Sequence, residues 1–184
     1  HIPKGGGILA PNHVSYYDPP IVAISCPDEV YFLAKKFLFR TPLLGWLIRH
    51  LNTYPLSGNI RDLSSIKTIG NLLEQEKKVV IFPEGVRTPD GKLARVKPGI
   101  AMLSLRTNVP IIPTYIHGTY EVWPCHRWVP KPWGKTVCIF GSPIYPDSFK
   151  DLDPKEAKKE IATAVHDSLA DLSKTFKRMF IEAI

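Results

Sequence analysis

Short apolar runs of strand length alternate with stretches of helical period along the whole chain, and this alternation most limits its fold. Gly7-Ile8-Leu9-Ala10, Val30 to Ala34, Thr53 to Leu56, Val79 to Phe82, Ile111 to Ile116 and Thr136 to Phe140 read as strands. Between them, Pro19 to Ser25, Arg61 to Glu76 and Pro98 to Arg106 read as helices. Asp18 stands as the N-cap of the first, with Pro19 in its opening turn, and Leu63, Ile66, Ile69 and Leu73 stripe the second. The last segment is the clearest helix: Asp153 caps it, Pro154 is its first residue and Glu156 completes a capping-box-like start. Its stripe of Ile161, Val165, Leu169, Leu172, Phe176 and Met179 suits core packing or, with Lys174, Lys177 and Arg178 beside it, a membrane surface. Strands alternating with helices predict an α/β fold. The expectation is one domain over residues 1–184, with a mixed, mostly parallel central sheet flanked by helices and a C-terminal amphipathic helix over about 154–180. Chemistry in such sheets collects in loops at strand ends.

With 24 Lys and Arg against 17 Asp and Glu, the net charge is +7. That balance suits nucleic acid, anionic lipid or phosphorylated metabolites, or serves solubility alone. No nucleic-acid readout motif accompanies the charge, so nucleic acid is not expected as a partner. No apolar run approaches the ~18–20 residues that span a bilayer, so no transmembrane helix is expected in this chain. Three cysteines without CxxC spacing argue against a disulfide scaffold and a cysteine zinc site. Cys125, His126 and His117 do not have the spacing of a closed metal site. The chain opens at His1 rather than Met, so a preceding segment of a longer protein is expected.

Two loops carry candidate chemistry. Asn12-His13-Val14-Ser15-Tyr16-Tyr17-Asp18 follows the first strand. A carboxylate on one imidazole nitrogen fixes the tautomer and supports positive charge, and the other nitrogen can then take a proton from a hydroxyl. The same residues also fit a plain capped helix with a satisfied histidine. Ser15 suggests a triad with His13 and Asp18, but the glycine-flanked elbow that exposes a nucleophilic serine is absent. The second loop, Phe82-Pro83-Glu84-Gly85-Val86-Arg87-Thr88, follows another buried strand. Pro83 stops ladder pairing and Gly85 permits unusual backbone angles. Arg87 offers a planar fork for phosphate oxygens and Thr88 a hydroxyl, while Glu84 either accepts from a substrate hydroxyl or pairs with an arginine. Lys92, Arg95 and Lys97 follow, before Pro98-Gly99 opens a helix.

These loops, in this order, resemble the glycerolipid acyltransferase family, whose bacterial type is 1-acylglycerol-3-phosphate acyltransferase. The first family motif, NHxxxxD, is matched by Asn12, His13 and Asp18. The third, FPEGxR[ST], is matched by Phe82, Pro83, Glu84, Gly85, Arg87 and Thr88. The fourth, an apolar segment bracketed by prolines, is matched by Val109-Pro110-Ile111-Ile112-Pro113. Lys36 to Arg49, with Pro42, Gly45 and Trp46, is similar to the region between the first two motifs. The second motif departs: Tyr54-Pro55-Leu56-Ser57 leads to Gly58 where the family usually has arginine, and Arg61 follows three residues later.

The resemblance implies the family's glycerol-3-phosphate acyltransferase-like fold. It also implies acyl transfer from acyl-CoA or acyl carrier protein to the sn-2 hydroxyl of lysophosphatidate, giving phosphatidate. Glycerol 3-phosphate or another lysolipid as acceptor, or thioester hydrolysis, are the alternatives. His13 would be the general base and Asp18 its orienting partner. Asn12, Ser15, Glu84, Gly85, Arg87, Thr88, Arg61 and Lys97 would contact substrate, with Arg87 on the acceptor phosphate. No metal or redox cofactor is implied, since the thioester is already activated. A membrane surface is the expected third partner, with the protein peripheral to or anchored at its cytoplasmic face. Phe37, Leu38, Phe39, Leu43, Leu44, Trp46, Leu47 and Ile48, bordered by Lys35, Lys36, Arg40 and Arg49, suit an interface or an ordinary buried helix. Trp123, Trp128 and Trp133, interleaved with Arg127, Lys131 and Lys135, form a second patch of that kind.

Overall fold

Six strands form one sheet in a computed structural model that describes residues 2–56 and 63–180, with the side chains of residues 42–44, 47 and 180 left aside. The chain runs β1 (Gly7–Pro11), α1 (Asp18–Ser25), β2 (Val30–Lys35), a 3-10 turn (Lys36–Arg40), α2 (Pro42–Arg49), β3 (Thr53–Leu56), α3 (Leu63–Glu74) and β4 (Lys78–Val80). It continues through α4 (Gly99–Thr107), β5 (Ile111–His117), α5 (Thr119–Val122), β6 (Val137–Phe140), a 3-10 turn (Pro146–Phe149) and α6 (Pro154–Phe180). The sheet order is β3-β2-β4-β1-β5-β6. All neighbours pair parallel except β5 and β6, which are antiparallel. This is the mixed, mostly parallel α/β domain that the alternation of elements predicts.

Alternate residues of the central strands feed two cores, because successive side chains leave opposite faces of a strand. Ile8, Ala10, Val79, Ile81 and Ile111 join Ile69 and Leu73 of α3, Ala101 and Leu103 of α4, and Ile161, Val165 and Leu169 of α6. On the other face, Leu9, Val80, Ile112 and Ile116 pack with Val22 of α1 and with Val30 and Phe32. Helices thus cover both faces, which is why these strands read as continuous apolar runs.

The predicted elements need small corrections. β4 ends at Val80 rather than Phe82, although Ile81 N–H still reaches Leu9 O at 2.9 Å, because the chain turns into Pro83. Leu63 is 83% exposed and does not belong to the buried stripe of α3, where Ser65, Ile69, Leu72 and Leu73 are buried instead. Asp153 does cap α6: its Oδ1 accepts Lys155 N–H at 2.8 Å and Glu156 N–H at 3.4 Å. The α6 stripe is core at Ile161, Val165, Leu169 and Phe176, Leu172 is half-buried, and Met179 is exposed.

Parallel pairing sends the loops after β1, β2, β4 and β5 to one edge of the sheet. Since β1 lies between β4 and β5, residues 12–17, 81–98 and 118–123 meet there.

Candidate active site

The first loop is organised by one carboxylate. Asp18 is fully buried, and its Oδ2 accepts Val14 N–H at 2.7 Å and Ser15 N–H at 2.8 Å. The same oxygen lies 2.9 Å from His13 Nδ1. Its Oδ1 accepts the Thr119 hydroxyl at 2.6 Å. Asp18 therefore does not cap α1, contrary to the sequence expectation. It is the first residue of that helix, Tyr17 is the N-cap without a side-chain cap bond, and the carboxylate turns back into the loop. An acceptor-only carboxylate at Nδ1 calls for the proton on Nδ1, which leaves Nε2 as the basic nitrogen. The His13 side chain is 15% exposed, and its ring stacks on Phe82 with centroids 3.9 Å apart.

The second loop holds the first from behind. Glu84 is 2% exposed, and its Oε1 accepts His13 N–H at 3.2 Å. Burial pushes its carboxyl from 4.5 up to about 7; the amides of His13 and Ala94 pull downward and the Asp18 charge adds to the rise. Oε2 has no hydrogen-bond partner among the described residues. Thr88 N–H reaches His13 O at 2.9 Å, while the Thr88 hydroxyl is buried without a partner among the described residues. Glu84 is thus a support beneath the histidine and makes no salt bridge with Arg87.

Arg87 lies over the Tyr16 ring, its guanidinium carbon 3.8 Å from the centroid. Gly85 has φ +79, and a Cβ built there would lie 2.7 Å from Lys97 Nζ. The glycine therefore lets the lysine cross the loop closely, besides adopting a left-handed backbone. Arg87 thus belongs to the Phe82–Thr88 loop that backs His13, and Lys97 packs across it, its N–H donating to Pro83 O at 2.9 Å.

Other expected substrate contacts are taken up within the fold. Asn12 is 2% exposed, with Oδ1 accepting Ile116 N–H at 2.7 Å and Nδ2 donating to Ile116 O at 3.1 Å. It fastens the loop to β5. Ser15 is fully buried, and its hydroxyl donates to Trp123 O at 2.7 Å and accepts Tyr17 N–H at 3.0 Å. It is a brace and not a nucleophile. The amides of His13, Val14, Ser15 and Gly85 are all engaged inside the fold, so they are not donors for an oxyanion. Arg61 and Gly58 lie outside the described residues.

Thr119 and Trp123, at the two ends of the short turn after β5, are site residues that sequence reasoning missed as such. Thr119 is fully buried against Asp18, and Trp123 contacts Tyr16 and Tyr17. No local sequence signal marks Thr119, whose partner lies 101 residues away; the glycine before it, Gly118, sets the turn, with φ +85 and no room for a Cβ beside the Lys135 carbonyl. Among the described residues no cluster of three or more His, Cys, Asp or Glu side chains could hold a metal ion. His117 packs on Phe176 and His126 faces Tyr120.

The chain is 25% identical over 168 residues to the 1-acyl-sn-glycerol-3-phosphate acyltransferase of Bacillus subtilis, covering 91% of this chain and 81% of that protein. It is 29% identical to the chloroplastic 1-acyl-sn-glycerol-3-phosphate acyltransferase of Brassica napus, covering 86% of this chain but only 46% of that one. The chain thus spans about half the length of the plant relatives it matches. The fold matches the crystal structure of the 1-acyl-sn-glycerophosphate acyltransferase PlsC from Thermotoga maritima with a TM-score of 0.75 and 31% identity. That match covers 94% of this chain and 68% of that one. The profile of the Acyltransferase family matches residues 1–117, which hold both loops, and the chain belongs to that family.

Proposed function

We propose that this chain moves an acyl group from a thioester to the free hydroxyl of lysophosphatidate, giving phosphatidate. The observation that carries the reading is the 2.9 Å contact between His13 Nδ1 and a carboxylate buried with four hydrogen-bond donors around it. That environment fixes the Asp18 carboxylate in place and holds the His13 ring in one tautomer, with the carboxylate beside the ring as it takes up a proton.

Nε2 takes the proton of the acceptor hydroxyl while that oxygen bonds to the thioester carbonyl carbon. The tetrahedral intermediate collapses with cleavage of the C–S bond, and the imidazolium returns its proton to the departing thiolate. No acyl-enzyme forms, in keeping with the burial of Ser15. Arg87, with Lys97 beside it, holds the acceptor phosphate, and Glu84 fixes the backbone of His13. The donor is an acyl-CoA or an acyl carrier protein thioester. The acceptor stays in a membrane, so the protein works at a membrane surface.

The test is thiol release from palmitoyl-CoA in detergent micelles, with and without lysophosphatidate, repeated with a carrier-protein thioester. Release that needs the acceptor and is lost in His13→Ala supports the reading. Arg87→Ala is expected to raise KM for lysophosphatidate about tenfold or more, since a charge-assisted phosphate contact is worth roughly 1.5–3 kcal/mol. Release that ignores the acceptor would make the protein a thioesterase, and no release from either donor would defeat the proposal.

A further inference from the structure

A groove of about 950 Å3 lies between the loop before α4 and the N-terminal half of α6. Five cations line it: Arg95 and Lys97 from the loop, and Lys155, Lys158 and Lys159 from the helix. None of the five makes an ion pair among the described residues. The opposing carboxylates are Asp153 and Glu156, and Asp153 already accepts the first amides of α6. Val96, Pro98 and Ala162 supply apolar wall, and His166 Nδ1, also on this lining, is buried without a partner among the described residues. The groove is separate from the His13 loop but reaches it through Lys97, whose Nζ crosses Gly85.

Unpaired cations gathered on a concave surface recognise phosphate, and an apolar wall within it suits a planar base. A volume of this size matches a nucleotide-sized ligand, since pockets for such molecules run to about 300–1,000 Å3. A convex acidic helix of a carrier protein would call instead for a broad, open basic face.

We propose that this groove binds the adenosine 3′,5′-bisphosphate end of an acyl-CoA donor. The proposal rests on the acyl-transfer reading above and names its donor. The phosphates lie among Arg95, Lys155, Lys158 and Lys159. The long, flexible pantetheine arm passes Lys97 and Gly85, which brings the thioester to His13. Acceptor and donor phosphates are then held by different cations, with Lys97 between them.

Equilibrium titration with adenosine 3′,5′-bisphosphate tests the groove without turnover. The protein is expected to bind it saturably, and Lys155→Glu/Lys159→Glu is expected to weaken binding about tenfold or more. Both lysines are exposed, so the variant should fold, which a circular dichroism melt checks. Lys4→Glu/Lys67→Glu makes the same change in net charge at exposed sites elsewhere and should bind as the parent does. In turnover, the first variant should raise KM for palmitoyl-CoA about tenfold and leave KM for lysophosphatidate unchanged. Absence of binding, or equal loss in both double variants, overturns the proposal. So does transfer from a carrier-protein thioester alone, which would assign the cations to an acidic protein surface. Bisphosphate binding lost only in Lys155→Glu/Lys159→Glu, with no thioester acylating lysophosphatidate, would uphold the groove and defeat the acyl-transfer reading.

Discussion

Three of the four hydrogen bonds on Asp18 come from its own loop; the fourth, from Thr119, ties that loop to the chain beyond β5. Thr119→Val keeps the shape but removes the donor, leaving Oδ1 buried with one partner fewer. We expect kcat to fall about tenfold, for a loss of about 1–2 kcal/mol, with little change in KM for either substrate, and Thr119→Ser to restore it. A Val variant that only lowers stability, with kcat intact, would make Thr119 purely structural. Glu84 has the opposite environment, a low-dielectric site with Oε2 unpartnered among the described residues, and its carboxyl rises from 4.5 to about 7. Between those values the unfolded chain has released the proton and the folded chain has kept it. Folding stability therefore declines as pH rises through this window and levels off above about 7. Glu84→Gln cannot ionise, can still accept the His13 amide, and should flatten the decline in melting temperature measured from pH 5 to 8. Both motif loops were legible in the sequence from their residue types and spacing, and the structure brings them together at His13. Thr119 was not, since its role comes from a contact spanning 101 residues.

At the level of elements, legibility followed the hydrophobic pattern. β1, β2, β3, β5 and β6 lie where their apolar runs are, and α6 begins at its predicted cap. α5 escaped notice because one helical turn shows no period. Lys78 opens β4 although it is 2% exposed, with Nζ on the carbonyls of Pro3 and Gly5 and 3.6 Å from Asp28. No hydropathy pattern marks a lysine as buried when its partners are backbone oxygens far away in sequence. Asp153 shows the reverse case, a local signal that the structure repeats in detail. Asp153→Ala should cost about 1 kcal/mol, read as a lower denaturant midpoint with an unchanged slope. A changed slope would mean that the N-terminal turns of α6 had come away from the core rather than lost a cap.

For the molecule as a whole, topology decides which side the proposed membrane docking would use. The parallel strands release the His13 and Phe82–Thr88 loops at one edge, and the segments after β2 and β5 emerge at the same edge. After β2, Phe37 and Trp46 are 60% and 58% exposed, near Lys35, Lys36, Arg40 and Arg49. After β5, Trp128 and Trp133 are 96% and 76% exposed, among Arg127, Lys131 and Lys135. Exposed aromatics beside cations suit the headgroup level of an anionic bilayer, and no helix among the described residues is long and apolar enough to cross one. With one patch on each side, docking would turn His13 toward the lipid acceptor. The Trp128 loop is joined to the site through Trp123, which touches Tyr16 and accepts the Ser15 hydroxyl. Burying half of a tryptophan's ~200 Å2 is worth about 2.5 kcal/mol, so one Trp→Ala change there should lower partitioning onto vesicles tenfold or more. The measurement is sedimentation with vesicles of mixed phosphatidylglycerol and phosphatidylcholine, at low and at high salt. Trp128→Ala/Trp133→Ala should cut binding at both salt levels, because its loss is apolar. Lys131→Glu/Lys135→Glu should cut it only at low salt, where the charges are unscreened. If neither variant differs from the parent while turnover on micellar lysophosphatidate persists, this edge is not what meets the membrane, and the lipid must reach His13 from another side.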